Sequence, residues 1–234
     1  MKYIIVIVFS VLFISCNIKP KQHNTKGMEY MKQGLYEQAI IEFTHATSVN
    51  SSWLPAYYNR AVCYANTQRY KEAINDFNYV AVNCPHDPQV YLYRGVVYEN
   101  IGLYSNAIKD YSQAITVCAD YITAYHYRGI ARYYMKDYDG ALKDYNQAID
   151  LGLKETGLYF NRGVIYQIKG DMNAAINDYT EAINVDPSYA RAYYTRGIAK
   201  MSQNRINEAY KDLEIANKLG DVKAAEVIST YFGD

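Results

Sequence analysis

Apolar and small residues recur along the chain in short stripes, and the stripes themselves recur every 34 residues. When each unit is numbered so that Tyr57, Tyr91, Tyr125, Tyr159 and Tyr193 stand at position 4, the units are 20–53, 54–87, 88–121, 122–155, 156–189 and 190–223. Apolar or small residues then fall at positions 4, 8 and 11 and at 20, 24 and 27, each set spaced as one face of a helix. Turn residues Gly34, Gly102 and Gly170 lie between the two stripes. Each unit therefore predicts two helices joined by a tight turn. Asp87 before Pro88 predicts an N-cap followed by a proline in the first turn.

Other residues keep the same cadence: Ala39, Ala73, Ala107, Ala141, Ala175 and Ala209 at position 20, and Gly95, Gly129, Gly163 and Gly197 at position 8. Small residues at 8 and 20 let the two helix backbones approach, and tyrosines at 4, 11, 17 and 24 fill the space around them. Self-similarity at one fixed period is the mark of a repeat array. The pattern resembles the tetratricopeptide repeat over residues 20–223, best in Tyr159, Gly163, Tyr166, Ala175, Tyr179, Ala182 and Pro187. Arg132 and Lys200 depart from it at position 11, and Ala119 and Leu153 at position 32. The resemblance implies an all-α fold, a right-handed α-solenoid of six helix-turn-helix units. Ala225, Ile228 and Tyr231 on a helical spacing predict a capping helix at the end, assigned to 224–234.

An arginine at position 7 (Arg60, Arg94, Arg128, Arg162, Arg196) and an aspartate at position 23 (Asp76, Asp110, Asp144, Asp178, Asp212) predict a ladder of ion pairs within or between repeats. Such pairs can be bidentate and set the angle between helices. Because every arginine is matched by an aspartate, the row reads as architecture and not as an anion site.

Composition changes the picture in two places. The 24 Lys plus Arg equal the 24 Asp plus Glu, so no net field favours nucleic acid. The 28 tyrosines against 6 Phe and 1 Trp are explained largely by the scaffold positions. Residues 1–15 carry one lysine and then an apolar run too short to span a bilayer, as in a signal peptide. The run ends in Phe13-Ile-Ser-Cys16, which looks like a bacterial lipobox and implies lipidation of Cys16, with 16–22 as lipidated residue and polar tether. The expected location is the cell envelope, lipid-anchored at the outer membrane and facing the periplasm. Cys63, Cys84 and Cys118 read as buried small hydrophobes, with Cys84 and Cys118 one repeat apart and beyond disulfide reach.

No insertion interrupts the repeats and no catalytic motif appears, so the expectation is a protein that is not an enzyme, with no cofactor. His23, His45, His86 and His126 occupy different repeat positions and share no ligand spacing, so no metal is expected. Binding is the expected chemistry. First-helix positions 2, 5, 6, 9, 12 and 13 share a face roughly opposite 4, 8 and 11, and in the family that face lines the concave groove. The candidates there are Tyr58, Asn59, Tyr93, His126, Tyr127, Tyr133, Tyr134, Phe160, Asn161, Arg191 and Tyr194. Aromatic anchors beside amides suit an extended peptide or helix of another envelope protein. Position 9 is Met28, Val62, Val96, Ile130, Val164 and Ile198, with no lysine at position 5, which argues against the family's clamp for a carboxyl-terminal peptide. The alternative is a glycan or small ligand stacked on the tyrosines, alongside an uptake system. Similarity to bacterial lipoproteins with such repeats implies an adaptor or assembly role.

Overall fold

The computed structural model describes residues 19–233. The expected signal peptide, 1–15, and the expected lipidation site, Cys16, lie outside them. The described residues are helical, without strands, and fall into two compact units that meet at a repeat boundary, between Tyr121 and Ile122.

The first unit holds α1 (19–32), α2 (Tyr36–Val49), α3 (Leu54–Asn66), α4 (Tyr70–Asn83), α5 (Pro88–Asn100) and α6 (Tyr104–Val117). The second holds α7 (Ile122–Tyr134), α8 (Tyr138–Asp150), α9 (Thr156–Ile168), α10 (Met172–Val185), α11 (Ala190–Ser202), α12 (Ile206–Lys218) and the cap α13 (Val222–Tyr231). Each consecutive pair from α1/α2 to α11/α12 is one sequence repeat. Among the described residues no helix is long and apolar enough to cross a membrane.

The expected tether is corrected at its end. Residues 19–22 already belong to α1, and Pro20 is among the most completely buried side chains. Proline is compatible with the first turn of a helix because its missing N–H has no partner to lose there. The cap begins at Val222, where the Asp221 side chain accepts from the Ala224 N–H and so starts the helix. Asp87 caps α5 as predicted, accepting from the Gln89 N–H at 2.9 Å.

Within each repeat the close approach is made by positions 8 and 24. Position 24 is Phe43, Phe77, Tyr111, Tyr145, Tyr179 and Leu213, each fully buried. Phe43, Tyr111, Tyr145 and Tyr179 lie flat over Gly27, Gly95, Gly129 and Gly163, so close that a β-carbon there would meet the ring at 2.5–2.8 Å. The buried phenols of Tyr111 and Tyr179 escape the cost of an unpaired hydroxyl by donating to Glu99 Oε2 at 2.8 Å and Gln167 Oε1 at 2.7 Å. Turn position 15 has positive φ in every repeat: at Gly34, Gly102 and Gly170, and also at Gln68, Lys136 and Asn204, where φ is 60–62°.

The predicted ladder forms, and it forms within repeats. Arg60, Arg94, Arg128, Arg162 and Arg196 each donate from Nε and Nη2 to both oxygens of the aspartate sixteen residues on, at 2.6–2.9 Å. A third bond runs backwards. Nη1 of Arg60, Arg94, Arg162 and Arg196 donates to Thr44, Asn78, Asn146 and Thr180, each in the preceding repeat. Burial pushes the Asp178 carboxyl above its ordinary value even with two N–H groups of Arg162 on it, so the rung fixes geometry more than it adds net stability. The departures at position 11 join the same network: Arg132 donates to Asp144 and Lys200 to Asp212, both at 2.8 Å.

Among the described residues Cys63 is buried and Cys84 and Cys118 are half-buried, which corrects the expectation for those two, and all three are free thiols. Both sit at or just beyond a helix end, where the chain turns outward.

Candidate functional site

The face predicted to bind is realised most clearly in the second unit. A cleft of about 940 Å³ opens between α9, α11 and the start of α13. Its wall on α9 is Phe160, Val164, Gln167 and Ile168, which are positions 5, 9, 12 and 13. On α11 it is Arg191, Tyr194 and Thr195, positions 2, 5 and 6. Met172 closes one end, and Asp221, Val222 and Lys223 the other. The helical step puts these positions on one face because each has another three or four residues away on the same helix, while the residues between them are held in the core by the 8/24 contact.

The cleft is apolar below and charged at the rim. Ile168 is 50% and Val222 72% exposed, and Arg191 and Lys223 bring two cations against one carboxylate, Asp221. Phe160 is the most buried part of that wall: it is 3% exposed, packed on Tyr179 and edge-on to Tyr189, both in its own repeat. The Arg191 guanidinium lies over its ring, 4.9 Å from the centroid, an arrangement that orients the cation across the cleft.

The other candidates divide. In the first unit Tyr58 is half-buried, edge-on to Phe77 and Tyr93, and burial pushes its phenol well above the usual tyrosine value. Asn59 donates to Asn24 Oδ1 at 3.3 Å. Both line a small cleft of about 300 Å³ with Val80, Cys84, Asp87 and Gln89. Tyr93 is exposed. In the second unit His126 is half-buried, stacked on Tyr127 and 3.1 Å from Glu155, and burial lowers its pKa against the pull of that carboxylate. Tyr133 packs edge-on to Tyr134 and against the core, Tyr134 is 56% exposed, and Asn161 is half-buried beside Phe160.

One cluster was not expected. His23, Glu42 and His45, which share no ligand spacing in sequence, converge in the first repeat, their nearest donor atoms all within 4.8 Å of one another. The signal was present as a break in register: repeat 1 carries His23 where later repeats carry Tyr at position 4, and Glu42 where they carry Asp at position 23.

Comparison with known proteins agrees with the architecture. Residues 24–88, 88–121 and 122–152 match families described as tetratricopeptide repeat, and 166–204 match one described as TPR repeat. No match to a curated protein reaches significance. Among solved structures, the chain is similar to pilF of Pseudomonas aeruginosa with a TM-score of 0.73 and 16% identity, over 94% of this chain and 95% of that one. It is similar to YrrB, described as a TPR protein with an unusual peptide-binding site, with a TM-score of 0.68 and 19% identity, over 80% and 97%. A tetratricopeptide repeat protein from Parabacteroides merdae gives 0.63 and 24%, over 90% and 82%. These likenesses concern the fold. With a 34-residue register, a helix pair in every repeat and family matches along most of its length, the chain belongs to the tetratricopeptide-repeat proteins.

Proposed function

We propose that the protein is a non-catalytic scaffold that holds a segment of a partner protein in the cleft between α9, α11 and α13. Tetratricopeptide-repeat proteins mediate protein–protein interactions, and the peptide-binding site described for YrrB supports the same use of this fold. The carrying observation is the register: seven residues of the cleft come from the first-helix positions 2, 5, 6, 9, 12 and 13. An extended or helical segment fits an open cleft of this kind. Its apolar anchor would seat among Val164, Ile168, Met172 and Val222, and an acidic neighbour would meet Arg191 and Lys223.

The same reading places the protein in the cell envelope, anchored by a lipid on Cys16 at the outer membrane, with another envelope protein as partner. A glycan ligand is the weaker alternative. Sugar stacking needs exposed ring faces, whereas Phe160 is buried and Tyr58 is engaged edge-on by two rings.

The test is photo-crosslinking in cells from position 168, compared with the same protein carrying Arg191→Glu. A single envelope protein captured by the first and lost from the second supports the scaffold. Equal capture by both, or none, removes the cleft as the binding surface. Membrane retention of Cys16→Ala at high salt would remove the lipid anchor.

A further inference from the structure

Repeat 1 departs from its successors at three positions that meet in space. Where repeats 2–6 carry Tyr, Arg and Asp at positions 4, 7 and 23, it carries His23, Lys26 and Glu42. The chemical consequence is that the carboxylate is no longer gripped on both oxygens. Lys26 Nζ takes Glu42 Oε1 at 2.6 Å, and Oε2 is left to His23 Nδ1 at 2.7 Å. His45, one turn beyond Glu42 on α2, brings its ring edge-on to that of His23 with centroids 5.3 Å apart. Glu42 is buried. Two imidazoles and a carboxylate thus face one point.

We propose that His23, Glu42 and His45 form a site for a divalent transition metal of the zinc class. Imidazole and carboxylate donors are the set that binds Zn²⁺ through three protein ligands and leaves a fourth position to water. With bonds of about 2.0–2.1 Å, tetrahedral donors stand about 3.3 Å apart, so the His23–Glu42 pair, now 2.7 Å apart, opens slightly while the His45 donor closes by up to somewhat more than an ångström. His45 is exposed, and rotation of its ring supplies that movement. The ion takes the place of the proton now held between His23 and Glu42, while Lys26 keeps its own oxygen and orients the carboxylate from outside the coordination shell. Because His23 lies on α1 and the other two ligands on α2, the ion clips the first helix of the array to the second.

The test uses the full chain, stripped with EDTA and titrated with Zn²⁺ by calorimetry, with Co²⁺ absorption as a probe of coordination. The variants are His45→Ala, His23→Ala and Glu42→Gln, with His86→Ala as the control and helical circular dichroism as the check on folding. The expected result is one Zn²⁺ per chain, an intense tetrahedral Co²⁺ spectrum, binding weakened at least about tenfold in His45→Ala, and no change in His86→Ala. His45 is an exposed side chain, so its removal leaves the helices in place and the loss reports on the ion. No binding at up to about 1 mM metal, or equal binding by wild type and His45→Ala, overturns the proposal.

Discussion

Gly95 lies so close to Tyr111 that a β-carbon on the glycine would stand 2.5 Å from ring atom Cε1. Gly197, at the same register position, faces the more compliant Leu213 at 3.1 Å. Gly95→Ala should therefore destabilise the protein by roughly 1–3 kcal/mol through overpacking, and Gly197→Ala by less. Urea unfolding of the two variants checks the order; equal costs would mean that the ring at position 24 does not set the spacing.

Arg162 and Asp178 make a bidentate, largely buried pair. Removing one partner strands the other, so Arg162→Met alone should cost about 3–5 kcal/mol, whereas Arg162→Met with Asp178→Leu should recover most of the loss. A double variant no more stable than the single one would show the rung to be a net source of stability.

His126 is buried enough that its folded pKa is lowered, burial outweighing the nearby Glu155. A lowered pKa means that the unfolded chain binds the proton more readily. The stability this residue contributes is complete above its ordinary value near pH 6.5 and is lost as the pH falls through the folded value. His126→Tyr, which installs the residue found at this position in Tyr58 and Tyr194, should flatten that part of the profile. Unfolding midpoints at pH 7.5, 6.5 and 5.5 for the two proteins decide it.

Lys136 occupies a left-handed turn with φ of 62°, a conformation that costs a lysine roughly 1 kcal/mol. Lys136→Gly should stabilise by about 0.5 kcal/mol, the part of that cost not cancelled by glycine's greater freedom when unfolded. A shift in the thermal midpoint is the readout, and a fall would show that the lysine side chain contributes more than its backbone costs.

Cys63 is buried without exposure, and burial pushes its thiol up to about 12. Cys84 and Cys118 are half-buried. Thiol labelling of the native protein with Cys16 replaced should modify Cys84 and Cys118 well before Cys63, since a reagent reaches a half-buried thiol without the helices opening. Mass spectrometry of the labelled peptides gives the order.

The scaffold was legible in the sequence because its contacts repeat. Tyr159, Gly163 and the Arg162–Asp178 rung could each be read five times over, and periodic positions report their common environment even in one sequence. The binding face was legible as positions but not as surfaces. Phe160 and Tyr58 sit on the right face, yet each ring packs against the position-24 ring of its own repeat, Tyr179 and Phe77, and how deeply a ring sinks has no local signature. Residues 221–223 were missed as part of the cleft because they close repeat 6 at positions 32–34, away from the first-helix positions expected to bind. His23, Glu42 and His45 were missed for a related reason: their spacing of 19 and 3 residues follows from helix pairing and not from any ligand motif.

The backward bond of the ladder arginines changes what a repeat is. Arg162 is anchored to Asp178 in its own repeat and to Asn146 in the one before, so melting repeat 4 takes a partner from repeat 5 before any of repeat 5 has moved. The genetic unit of this protein is 34 residues long, but the unit that melts together is longer. Disorder entering at one end of an array built this way is felt a repeat ahead of where it stands, and the protein should lose structure in blocks rather than peel helix by helix.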